Sequence, residues 1–219
     1  RTAAPSWWID SLLSSAVNPT PRISTMKPKL STVTEEIFYA LKPSKQRVLL
    51  AKDVLKRIRS KQLIIEAQKG YLDIEIPESL ERQELQPFLK EMEEPCTGCA
   101  RGAMFYCKVD RFNQYVVPYG TYTLDQSDIH AALKGIFSQQ QLLCIEAAFE
   151  YTARWGRLKS EDAAELGRAA VMYDRIIEDD DRLIAIIQNI IDHKGTFVVP
   201  PTPEEPVDIG PESIADLDG

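Results

Sequence analysis

Three of the four cysteines in this 219-residue chain fall within twelve residues, Cys96, Cys99 and Cys107 in PCTGCARGAMFYC. A CxxC pair with a third sulfur nearby suggests either a metal site or a redox thiol. A structural zinc ion needs four ligands converging at about 2.3 Å per sulfur, usually as two close pairs on separate loops. Only one close pair is present, and the other ligand types, His130, Cys144 and His193, are scattered. The stretch from Cys96 reads as helix, and a rise of about 1.5 Å per residue sets Cys107 roughly 16 Å from Cys96. A helix start would lower a thiol pKa. A thioredoxin-like motif, however, follows a strand, whereas this pair follows LKEMEE, where Glu93 and Glu94 disfavour a thiolate. Cys96, Cys99 or Ala100, Ala103 and Cys107 recur at three- and four-residue spacing, and with Gly102 they form a face of small side chains. Such a face lets a neighbouring helix approach, and the Ile-rich last helix is its expected partner. A thiol or metal role, if there is one, narrows to Cys96 and Cys99.

Other chemistry is thin. The chain has no nucleophile elbow, no phosphate-cradling glycine loop and no HExxH, so no catalytic residue and no cofactor is indicated. Glu178, Asp179, Asp180 and Asp181 could bind a divalent cation, but acids opening a helix are favoured by its dipole without any ion. His130 and His193 lack an acidic partner at helical spacing. Residues 45–61 carry Lys45, Arg47, Lys52, Lys56, Arg57, Arg59 and Lys61 against Asp53. This basic helix could contact phosphates, but it has no interleaved aromatics, so a solvated face or an acidic partner is the better reading and nucleic acid the alternative.

The elements that must position these residues are mostly helical. STVTEE at 31–36 is a capping-box pattern before IFYAL, and Ser44 is placed to cap a longer helix with Val48, Ala51, Leu55 and Ile58 along one stripe. LIIEA at 63–67 and YLDIEI at 71–76 read as a β-hairpin turning at Gly70. Helix resumes at LQPFLKEM and again from Cys96 to Phe112. The stretch 113–126, NQYVVPYGTYTLDQ, reads as a loop long enough to carry a functional surface. Ser127 or Asp128, Ser138, Glu161 and Asp179 then open four helices, the last apolar on nearly all sides and expected to be the most buried, with Gly195 at its C-cap. The expectation is a mainly α (α+β) single-domain bundle of about six to seven helices with one small β-hairpin, spanning 31–197.

The ends differ in composition. Residues 1–30 read as a poorly ordered extension, with a natural start expected at Met26; alternatively, Trp7 and Trp8 anchor an amphipathic helix over 6–16. Residues 198–219 carry Glu204, Glu205, Asp208, Glu212, Asp216 and Asp218, five prolines and no Lys or Arg, a composition expected to give a disordered acidic tail. This tail accounts for most of the net charge of -7, and the near-neutral remainder argues against nonspecific nucleic-acid binding. No apolar run approaches the roughly 20 residues of a membrane span, and no signal-peptide pattern opens the chain. A cytoplasmic setting with reduced thiols is therefore expected.

LLAKDVLKRI, PCTGCARGAMF, QLLCIEAAFE and DDDRLIAIIQNIIDHKGTF together resemble a family of bacterial, prophage and phage proteins with a CxxCAxGA helix and a C-terminal DDRLIxIxxNII helix. The resemblance covers residues 48–199 and carries no established activity. It implies a small phage- or prophage-type accessory protein in the bacterial host cytoplasm, acting by protein–protein contact.

Overall fold

Side-chain caps at Thr34, Asp125 and Ser138 open three of the described helices. A computed structural model describes residues 33–68, 70–150 and 160–201. The expected extension over 1–30, its alternative helix over 6–16 and all but the first four residues of the expected tail lie outside these. The described residues form eight α-helices, rather than six or seven, and a three-stranded sheet. Helix α1 (Glu35–Ala40) is capped by Thr34, whose side chain accepts from the Ile37 N–H. Helix α2 (Pro43–Arg59) starts one residue before the expected cap, with Pro43 at its first position, where a missing N–H costs nothing.

Strand β1 (Leu63–Ile65) and strand β2 (Leu72–Asp73) form where expected but do not pair as a hairpin. Strand β3 (Cys96–Gly98) lies between them, parallel to β1 with Leu63 opposite Cys96, and antiparallel to β2 with Leu72 opposite Gly98. Helix α3 (Leu85–Glu91) precedes β3, and α4 (Ala100–Phe112) follows it with Cys99 as its N-cap. The start of the CxxC stretch is therefore strand, and the helical distance expected between Cys96 and Cys107 does not apply.

Helix α4 is the centre of the fold. Every residue from Ala100 to Val109 is buried, as is Phe112, which stacks on Phe38. The last helix, α8 (Asp179–Asp192), was expected there but packs mainly on α2 and α6 (Gln139–Glu150), and its Ile184 and Ile191 are only half-buried. The small side chains of α4 meet a strand instead of α8. The Tyr71 carbonyl lies so close that a Cβ on Gly102 would be 1.4 Å from its oxygen.

Helix α5 (Gln126–Leu133) is capped by Asp125 rather than by Ser127 or Asp128, with a full capping box between Asp125 and Asp128. The Ser138 hydroxyl accepts from Gln141 N–H at the start of α6. Helix α7 (Ser160–Val171) packs on α6. Helix α8 ends in a paired 6→1 and 5→2 motif, Gly195 N–H to Ile190 and Lys194 N–H to Ile191. Lys194 takes the left-handed position at φ 54°. No described helix is long and apolar enough to cross a membrane.

Candidate functional site

The cysteines lie in two separate environments. Cys96 faces Met92, with sulfurs 3.9 Å apart, and the side of the sheet carrying Arg57 and Asp110. Cys99 faces Glu146 and Glu150 of α6. Burial pushes the Cys96 thiol up to about 11, with Arg57 opposing and Asp110 and Asp73 reinforcing. Burial likewise pushes Cys99 up to about 12, against the Gly102 and Arg101 backbone N–H groups that favour its thiolate. The opposing carboxylates are thus on α4, α6 and β2, not Glu93 and Glu94. Cys107 is raised by complete burial and then by Asp53, and Cys144 to about 12 by burial and then Glu165. All four are free and buried. Among the described residues, no three His, Cys, Asp or Glu side chains are grouped to hold a metal ion.

Buried charges surround these sulfurs, and the sequence pattern did not single them out. Asp53, 3 % exposed, accepts from Arg57 at 3.2 Å and from Arg111 at 3.1 Å, while Arg57 also reaches Asp110. Arg101, 1 % exposed, pairs with Glu146 and lies over the Tyr71 ring, whose hydroxyl donates to Glu146 at 2.9 Å. Among the described residues the Arg101 Nε has no hydrogen-bond partner. Arg101 forms part of the wall of a cleft of about 410 Å³ shared with Asp125, Ser127, His130 and Gln139.

The acidic run that could have been a cation site holds the chain together. Asp179 accepts from Ala67 N–H at 2.8 Å, Asp180 pairs with Lys61 at 2.7 Å, and Glu150 accepts from Gln68 N–H at 2.6 Å. Arg182, 3 % exposed, donates to the carbonyls of Phe149, Ile176 and Ile177. His193 is exposed, with Nδ1 2.8 Å from Asn189 O, and His130 is half-buried beside the cleft. Among the described residues neither histidine is paired with a carboxylate.

The basic helix divides in two. Arg47 donates to the carbonyls of Gly195 and Ile136, Arg57 is engaged with Asp53 and Asp110, and Lys61 with Asp180. Lys45, Lys52, Lys56 and Arg59 are exposed and, among the described residues, form no ion pair.

The stretch 113–126 is tied into the fold as a ribbon. Arg82 N–H donates to Val117 O, Val117 N–H to Gln83 O and Leu85 N–H to Tyr115 O, while Ile76 N–H reaches Tyr122 O. Tyr115 and Val117 turn inward and are buried, Tyr115 against Phe105. Val116, Tyr119 and Tyr122 turn outward, 55 %, 77 % and 58 % exposed, with the Arg82 guanidinium over the Tyr119 ring. Pro118 lacks an N–H, which limits pairing of the ribbon with a further strand. The ribbon thus presents side chains on a fixed backbone. No family model, curated protein or solved structure matches this chain.

Proposed function

We propose that this protein acts by protein–protein contact, as an accessory protein of phage or prophage type working in a host cytoplasm, and that the ribbon at 113–126 makes the contact. One observation carries the reading: Val116, Tyr119 and Tyr122 are exposed on a backbone held by four backbone hydrogen bonds to residues 76–85 and a fifth from Gly120 N–H to the Glu81 side chain. Isolated exposed apolar side chains are ordinary. Three fall on one seven-residue stretch, two of them tyrosine, a residue type enriched at contact hot spots, and a pre-ordered backbone reduces the entropy cost of binding. Burial of all four thiols counts against a thiol role for Cys96 and Cys99.

The test compares the protein with a V116S/Y119S/Y122S variant as bait in host lysate, read by quantitative mass spectrometry. Loss of one hot-spot tyrosine costs about 2 kcal/mol or more, so the variant should retain a specific partner at least tenfold less well, with its melting temperature unchanged. Equal retention by both proteins, or no partner retained by the parent chain, overturns the proposal.

A further inference from the structure

We propose that the solvent face of α2 is a docking surface for an acidic peptide and that its resident occupant is this chain's own segment 202–219. At about 100° per residue, Lys45, Lys52, Lys56 and Arg59 fall within an arc of about 60°, and at about 1.5 Å per residue they span about 21 Å. All four are exposed and unpaired among the described residues, whereas Arg47 and Arg57 on the same helix and Lys61 just beyond its end are engaged by carbonyls or carboxylates. The helix's one acid, Asp53, is buried against α4. The face therefore carries four positive charges that no ion pair among the described residues neutralises.

The described chain leaves the fold within reach of this face, and the residues that follow carry the complementary charge. Helices α2 and α8 run antiparallel, with Gly195 against the Ser44 carbonyl at one end and Lys61 on Asp180 at the other. After Gly195 the chain reverses. Phe197 is buried, and the Asn189 side chain both donates to Val198 O at 3.0 Å and accepts from Val198 N–H at 2.9 Å. This clamp turns the chain back along α8, toward the end where Lys61 meets Asp180 and in the direction in which the stripe runs. The next eighteen residues, 202–219, carry six carboxylates and no Lys or Arg. At about 3.1 Å per residue for an extended proline-rich chain, Glu204, Glu205, Asp208 and Glu212 span about 25 Å. Four acids thus match four cations over nearly the same length, and an external polyanion would have to displace the segment to reach the stripe.

Carbodiimide coupling of the full chain, mapped by mass spectrometry, tests this. The Lys61–Asp180 pair serves as an internal reference for coupling. Exposed Lys90 and Lys134, which lie off the stripe, serve as controls. At an ionic strength of ~0.01 M, where screening extends over ~30 Å, Lys45, Lys52 or Lys56 should couple to acids of 204–218 at least fivefold more than Lys90 or Lys134 do. At ~1 M, where it shrinks to ~3 Å, that excess should vanish. In a mixture of ¹⁴N- and ¹⁵N-labelled protein, the links should join like-labelled peptides. The proposal fails if Lys61–Asp180 couples and the stripe does not, if the stripe couples no better than Lys90 and Lys134, or if mixed-label links dominate.

Discussion

Replacing Gly102 by alanine tests whether the Tyr71 carbonyl really rests on α4. An added Cβ would lie 1.4 Å from the Tyr71 oxygen and 2.5 Å from its carbonyl carbon. The segment must retreat by about 2 Å before normal contact is restored. The same carbonyl accepts the Cys99 N–H at 3.2 Å, and the next residue, Leu72, pairs with Gly98, so retreat weakens both the helix N-terminus and the β2–β3 ladder. Overpacking costs about 1–3 kcal/mol, an orphaned buried N–H about 1–3 kcal/mol, and alanine's helix propensity returns about 1 kcal/mol. The expected net loss is about 2–4 kcal/mol. For a chain of this size that lowers the melting temperature by about 5–15 °C, measured by circular dichroism and by the urea midpoint. Gly167→Ala on α7 is the matched control, because nothing lies within 4 Å of its Cβ position. That variant should gain about 0.5–1 kcal/mol. A Gly102→Ala protein melting within 1 °C of the parent, alongside a stabilised Gly167→Ala, would refute the close approach.

The buried thiols make alkaline stability a second readout. Cys96, Cys99 and Cys144 are raised from an ordinary 9.0 to about 11, 12 and 12 by burial. The native state therefore holds protons that the unfolded chain releases above pH 9, so this stability is complete below pH 9 and lost as pH climbs through 11 to 12. The urea midpoint should fall over that window, and less steeply for Cys99→Ala; equal slopes would be contrary to this account. An aromatic disulfide reagent at pH 8 should find fewer than one reactive thiol in the native protein and four in denaturant. Glu146→Gln strands the Arg101 guanidinium, 1 % exposed, without its counter-charge. Breaking a buried pair costs about 3–5 kcal/mol, whereas replacing both members with apolar groups is far milder. An E146L/R101M double variant should therefore regain most of the stability lost by Glu146→Gln, and a double variant as unstable as the single one would contradict the pairing.

Features written in local sequence were legible. The Ser138 cap and the acids opening α8 follow from neighbours within a few residues, and the α2 stripe follows in part: Ala51 and Ile58 are buried as expected, while Leu50 and Val54 are buried in place of Val48 and Leu55. The sheet was not legible. LIIEA and YLDIEI carry the alternation of strands, but their common partner lies some thirty residues on, and a three-residue strand such as Cys96–Gly98 is too short to show a period of two. Glycine and alanine next to it imitate a helix face, so the boundary moved from Cys96 to Ala100. The buried charges escaped for a related reason. Asp53, Arg101 and Arg182 sit on helices rich in exposed charge, and only the arrival of Arg111, Glu146 or the 176–177 carbonyls makes their burial affordable.

The cysteines show how tertiary context overrides a motif. Cys99 caps a helix, where two backbone N–H groups favour its thiolate, a setting that in an open site would activate it. Here desolvation outweighs those donors, because α6 and the Tyr71 segment close over the sulfur and bring two carboxylates with them. The residues that looked most chemical are therefore committed to packing. The side chains left without work inside the fold are on its outside: Tyr119 and Tyr122 on the ribbon, and Lys45, Lys52, Lys56 and Arg59 on α2. A charged stripe and an aromatic ribbon attract different partners, one by screened Coulomb forces and the other by burial of apolar area. Salt should therefore separate them: raising ionic strength exposes the stripe while leaving contacts at the ribbon intact.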